Sequence, residues 1–240
     1  MRNLPTVTRN LLLLNFFVWL LSAILGSRGV DLNDFLGLHY YTAESFHWWQ
    51  PVTYMFMHAD FNHIFFNMFA VLMFAPVLER EWGEKKFILY YLVCGLGAAL
   101  TQELVWAAMF GSDISLYPEL AEKLVTIGAS GAVFGILLAF GWLFPEVKMF
   151  ILFIPIPIRA RVLVIIYAVI ELVAGLGSMI GFRADHVAHF AHLGGMIFGL
   201  LLLLYWRYGE QKLKAWWNGV RGHDEDKNDR WDKYHYQRSL

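Results

Sequence analysis

At 240 residues, 58% of them hydrophobic and 17% aromatic, the chain carries charge on only 16% of its positions, well below the roughly 25% of an ordinary soluble domain. A net charge of −1, with no basic stretch interleaved with aromatics, excludes nucleic acid as a partner. The single cysteine, Cys94, excludes an intrachain disulfide and any cysteine-rich metal site; in the apolar run YYLVCGLGAAL it reads as a small packing residue.

A helix needs roughly 20 apolar residues to cross hydrocarbon, because lipid cannot satisfy exposed backbone groups. Six stretches are candidates: Leu11–Leu25, Met57–Leu78, Phe87–Phe110, Leu124–Phe144, Val162–Ile180 and Val187–Trp206. They predict an all-α polytopic membrane protein, a bundle of six transmembrane helices. The first is short and is expected to begin nearer Pro5. Arg2 and Arg9 precede it as in a signal peptide, but no small-residue cleavage pattern follows, so it is kept as a span.

Between the first two spans, Gly29–Gln50 mixes Asp31, Asp34 and Glu44 with Phe46-His47-Trp48-Trp49, predicting an outer loop partly embedded at the headgroup level. The apolar run Met149–Ile158 is too short to cross and holds Pro155 and Pro157, which predicts a loop at the interface. Residues 207–240 include Asp224, Glu225, Asp226, Asp229 and Asp232 and are too few for a core of their own. They are expected to form a cytoplasmic tail, a short helix followed by disorder, leaving 1–206 as the membrane domain.

Lys and Arg in short flanks set orientation. With the N-terminus inside, the inner flanks hold Arg2, Arg9, Arg80, Lys85, Lys86, Lys148, Arg159, Arg161, Arg207, Lys212 and Lys214, and the outer loops hold Arg28, Lys123 and Arg183, 11 against 3. Both termini are therefore expected in the cytoplasm.

Strongly polar groups inside a membrane are costly and invite a functional reading. At about 1.5 Å per residue, His63 and Ser130 lie roughly 9 Å along the second and fourth spans, and His192 roughly 8 Å along the sixth. All three spans enter from the outer side, so the three residues share a depth. Ser130 sits in TIGASGAVFG (126–135), where Gly128, Gly131 and Gly135 admit a close neighbour and leave backbone N–H groups accessible if a helix starts near the serine. Composition alone fits a packing face, with a serine bonded to its own helix, equally well.

His192 sits in FAHLGGMIFG (190–199), with Gly195 and Gly199 one turn apart. A neutral imidazole there can accept a serine proton and return it to a leaving amine. His186 and His189 precede it at three-residue spacing, which does not converge well on one ion, and no HExxH occurs. They read as interfacial or structural histidines, with no metal and no cofactor expected. His63 and Asn67, four apart, share a helix face and can donate to a developing oxyanion. His58, nearer the surface, reads as structural. Glu103 and Glu171 lie within spans; either could complete a triad or line a proton path, and a buried hydrogen bond to a neighbouring helix is the plainer reading.

GASG at 128–131, AHLGGMIFG at 191–199 and HIFFN at 63–67, on spans four, six and two, together resemble the motifs of the rhomboid intramembrane serine proteases across the whole six-span region. The resemblance implies Ser130 as nucleophile and His192 as base. His63 and Asn67, with the Ser130 backbone N–H, would surround the oxyanion, and Gly128, Gly131, Phe134, Gly195 and Gly199 would support the site. It implies single-span membrane proteins as substrates, cut within or near the outer end of their helix. The setting would be membrane lipid, in a bacterial inner (plasma) membrane with the site opening outward. The family's Ser–His dyad needs no acid, which fits the absence of an Asp beside either residue. Two positions depart from the pattern. Gln50 stands where the family often has Arg, a loss expected to loosen the first outer loop. Phe134 stands where the family commonly has Tyr, leaving His192 oriented by packing alone. A noncatalytic relative that binds membrane proteins is the alternative; a transporter would need more charge along a path than Glu103 and Glu171 supply.

Overall fold

The computed structural model describes residues 4–151, 154–179 and 187–209. Its helices are α1 (Thr6–Gly26), α2 (Asn33–Leu36), α3 (Gln50–Thr53), α4 (Phe61–Trp82), α5 (Glu84–Leu116), α6 (Ser130–Leu143), α7 (Ala160–Met179) and α8 (His189–Leu204), the last continuing as a π turn to Gly209. Two short antiparallel ribbons join them, β1 (Leu38–His39) with β2 (Val125–Thr126) and β3 (Lys148–Ile151) with β4 (Ile154–Arg159). Described residues up to Leu200 form one compact unit, and those from Leu201 belong to a second. The tail from residue 210, together with Arg183 and His186, lies outside the described residues.

Among the described residues, five helices are long and apolar enough to cross a membrane: α1, α4, α5, α7 and α8 with its π turn. This is an all-α integral membrane protein. Its outward faces are apolar, with Leu13, Phe17, Ile165 and Val173 all exposed as lipid-facing residues are.

The fourth predicted span differs from expectation. Leu124–Phe144 is not one helix; α6 has 14 residues and begins at Ser130. Ahead of it the chain is extended, because the β-branched Val125 and Thr126 pair with His39 and Leu38, and Gly128 then turns at φ 128°, a conformation that side chains with a β-carbon rarely adopt.

Helix α6 packs against α4, α5 and α7. Hydrophobicity does not drive helices together in lipid, so close backbone approach must. A β-carbon on Gly131 would strike Ala98 of α5, one on Gly135 would strike Cys94, and one on Gly195 of α8 would strike the Gly131 carbonyl. Cys94 thus fills the space that Gly135 and Gly199 leave, in keeping with a packing role. The Tyr90 hydroxyl donates to the Gly135 carbonyl at 2.9 Å and the Tyr54 hydroxyl to the Gly95 carbonyl at 2.7 Å, locking the same layer.

Helix α1 has no cap of its own: Pro5 precedes it. Glu79, buried near the end of α4, takes that role, accepting the Val7 N–H at 2.8 Å and the Thr8 N–H and hydroxyl at 2.7 Å each.

The first loop is not loosened by Gln50. That side chain is fully buried, accepts the His39 N–H at 3.2 Å and donates to the Ser45 carbonyl at 2.8 Å. A neutral amide can do both, where a guanidinium can only donate. Glu103 accepts the Tyr41 N–H at 3.1 Å, and Glu122 accepts the N–H groups of Glu44 and Ser45. Glu103 therefore holds a loop rather than a neighbouring helix. The run Met149–Ile158, expected as a loop, instead contributes to two antiparallel strands, β3 and β4: Lys148 pairs with Arg159 and Met149 with Ile158, with a register irregularity between Phe150 and Ile151.

Candidate active site

His63, Ser130 and His192 each stand in the first turn of a helix. On α4, Asp60 accepts the His63 N–H at 2.9 Å and caps the helix, which starts at Phe61, two residues before His63. The Ala59 N–H approaches His63 Nδ1 at 3.4 Å, which turns Nε2 toward Gly128. A β-carbon at Gly128 would lie 2.7 Å from that nitrogen, so the position requires glycine for space as well as for its φ. The Gly128 N–H is held by the Tyr54 carbonyl at 2.9 Å. Ser130 is the first residue of α6, and His192 lies in the opening turn of α8. The sequence predicts the three roughly 8–9 Å along helical spans, whereas the structure has each in an opening turn. Non-helical chain, not helix, leads to Ser130.

Three helix N-termini thus meet around one cavity of about 440 Å³, lined by Asp60, His63, Thr126, Ser130, Ala188 and His192 among others. The first N–H groups of a helix have no acceptor within it and carry the positive end of its dipole. Asp60 already caps α4, so the uncapped start of α6 at Ser130 is the end best suited to a developing negative charge.

His192 Nε2 lies 2.7 Å from Ser130 Oγ. The Phe134 ring, one turn after the serine, stacks on the His192 ring with centroids 4.4 Å apart and planes 10° apart. His192 is not oriented by packing alone, however. Its Nδ1 lies 2.8 Å from Glu171 Oε2 of α7, and His189 Nδ1 lies 2.6 Å from the same oxygen. Both histidines and the glutamate are buried. His189 is accordingly a partner of the site, and an acid does stand beside His192. Among the described residues, Glu171, His189 and His192 are also the set whose ligating atoms could hold a metal ion, all within 4.8 Å of one another.

The signal that could have found this contact is thin. Glu171 is an ionisable residue in the middle of a span, and His189 and His192 share a helix face at i, i+3. Nothing in the spacing ties that face to α7.

Asn67 is not among the residues that line the cavity. Its side-chain N–H donates to the His63 carbonyl at 2.9 Å, within its own helix. His58 is buried rather than near the surface, edge-on to His63 with ring centroids 5.0 Å apart. Burial, reinforced by the neighbouring His63, pushes its pKa down to about 4.

A rhomboid domain profile matches residues 45–209. The chain is 32% identical over 170 residues to Rhomboid-like protein 11, chloroplastic, of Arabidopsis thaliana, covering 65% of this chain and 51% of that protein. It is 33% identical over 150 residues to Rhomboid protein 1, mitochondrial, of Saccharomyces cerevisiae, covering 61% and 38%. It is 28% identical over 217 residues to Rhomboid protease AarA of Providencia stuartii, covering 87% and 75%. The chain thus spans about half, or less, of the length of the plant and yeast relatives. With the profile covering more than half of its residues, the chain belongs to the rhomboid family.

Proposed function

We propose that the chain is an intramembrane serine endopeptidase that hydrolyses peptide bonds within or near the transmembrane helix of single-span membrane proteins. Family membership supports intramembrane proteolysis in general. The observation that carries the finer reading is the 2.7 Å approach of Ser130 Oγ to His192 Nε2 at the wall of the cavity.

In this mechanism Ser130 Oγ attacks the scissile carbonyl while His192 Nε2 takes its proton. The same nitrogen returns the proton to the leaving amine, and water then releases the acyl-enzyme. The Ser130 backbone N–H and His63 Nε2–H stabilise the oxyanion. Asn67, with one amide N–H held by the His63 carbonyl, contributes less directly. Gly128, Gly131, Gly195 and Gly199 admit the close contacts that bring these groups together. A substrate helix hides its carbonyls in its own hydrogen bonds, so it must unwind to be cut, and small or helix-breaking residues lower that cost.

Six crossings follow if α6 is counted with the extended chain before it. Fourteen helical residues give roughly 21 Å, and residues 124–127, ahead of the turn at Gly128, supply up to about 13 Å more. Together these exceed the roughly 30 Å hydrocarbon core. Residues 1–206 then form the membrane domain and 207–240 a cytoplasmic tail. The Lys and Arg bias puts both termini in the cytoplasm and opens the cavity toward the outer face of a bacterial inner membrane.

The test combines cleavage with covalent labelling. Ser130→Ala and His192→Ala should each abolish cleavage of a transmembrane reporter while the protein still inserts and purifies monodisperse. A fluorophosphonate, which bonds only to an activated serine, should map to Ser130 and lose its label in His192→Ala. Native protein that cleaves no reporter and takes no label, in lipid as in detergent, would favour a noncatalytic membrane-protein binder.

A further inference from the structure

We infer that Glu171 is a positioning residue for His192, its carboxylate taking the Nδ1–H of that ring and so leaving Nε2 as the bare nitrogen that faces Ser130. The inference rests on the assignment of Ser130 and His192 above and adds a third helix to it.

An ionised carboxylate only accepts hydrogen bonds, and a neutral imidazole carries one N–H. Glu171 Oε2 lies 2.8 Å from His192 Nδ1. The proton of the neutral ring is therefore on Nδ1, and the lone pair on Nε2 points at the serine 2.7 Å away. When Ser130 attacks, its proton moves to Nε2, the O–H bond breaks as the bond from oxygen to the substrate carbon forms, and the resulting imidazolium sits against a carboxylate that stays ionised.

His189 fixes the acid in turn, with its Nδ1 2.6 Å from the same oxygen. A buried carboxylate in a span is costly unless donors surround it, and two imidazoles from one face of α8 meet that need. Serine, histidine and glutamate come from α6, α8 and α7, so the contact ties the three helices at the reacting atoms.

The alternative reading of the cluster as a metal site fits the distances less well. Ligands sharing a tetrahedral ion at about 2.0–2.1 Å stand roughly 3.3 Å apart. Here both nitrogens stand at hydrogen-bond distance, 2.6 and 2.8 Å, from one oxygen.

The experiment uses the full-length protein in detergent and in lipid. Glu171→Gln keeps the shape but can present an amide N–H to Nδ1, forcing the wrong tautomer. It should lower kcat by about 100-fold or more with KM changed less than about threefold, and Glu171→Asp should recover part of the loss. On the native protein, isotope-labelled histidine and NMR should find His192 as the Nδ1–H tautomer. An Nε2–H tautomer in native protein overturns the inference whether or not the variants fold. A kcat for Glu171→Gln within about threefold of native, beside an inactive Ser130→Ala, overturns it alone. Cleavage that survives Ser130→Ala overturns the reading beneath it. Loss of activity in Glu171→Gln that added zinc restores would assign the cluster to a metal instead.

Discussion

Phe134 lies flat on His192, its ring plane 10° from the imidazole, and meets Tyr167 of α7 edge-on at 6.2 Å. The ring is thus wedged between α7 and the histidine and limits rotation of the imidazole about its own axis. Phe134→Leu should cut turnover about tenfold with little change in KM. Phe134→Tyr should be tolerated, with any gain below about tenfold, since one added hydrogen bond is worth roughly 1.4 kcal/mol at most. Native turnover in a folded Phe134→Leu protein would mean that the stack does not constrain the ring.

Gly195 and Gly177 make a matched pair. A methyl group on Gly195 meets the Gly131 carbonyl, whereas one on Gly177 of α7 meets nothing within 4 Å. Overpacking costs about 1–3 kcal/mol, so Gly195→Ala should lower Tm by roughly 5–10 °C and depress cleavage further by pushing α8 from α6. Gly177→Ala should hold or raise Tm, because alanine favours helix by roughly 0.5–1 kcal/mol. Thermal unfolding in one detergent compares them, and equal Tm changes would refute the close approach.

The small residues around Ser130 and His192 were legible because glycine in an apolar helix marks a close neighbour, and that neighbour is visible as Gly195 against Gly131. The start of α6 was not. Leu124, Val125 and Ile127 are as apolar as a helix would be, so hydropathy cannot separate the non-helical residues 124–129 from the span. The role of Gln50 depends on the carbonyl of Ser45 and the N–H of His39, groups that only the folded loop brings within reach. Glu171 was visible as an acid in a span, but its meeting with two imidazoles is a contact between helices that no periodicity within α7 encodes.

Glu79 gathers three hydrogen bonds from the start of α1 onto one buried carboxylate. Glu79→Ala leaves two backbone donors and a hydroxyl without it, and should cost roughly 3 kcal/mol. Glu79→Gln, which keeps one acceptor, should cost about half of that. Glu79 is not among the residues that line the cavity, so either purified variant below its Tm should keep its kcat. A Tm unchanged in Glu79→Ala would show that α1 is held by lipid-facing contacts instead.

His58 supplies a pH dependence whose sign can be worked out. Its pKa falls from the ordinary 6.5 to about 4, first because burial penalises the charged ring and then because His63 lies beside it. Above about pH 6.5 the ring is neutral in folded and unfolded chains alike, and the stability of the folded state is fully present. As pH drops from about 6.5 toward 4, the unfolded chain takes up a proton that the folded one refuses, so stability falls throughout that window. His58→Phe keeps a flat aromatic ring and cannot bind the proton. The Tm of native protein should therefore decline between pH 7 and 4.5 more steeply than that of His58→Phe, the two curves converging toward neutral pH after any constant offset is removed. Parallel curves across the whole range would show that His58 is already hydrated and free to charge in the folded protein.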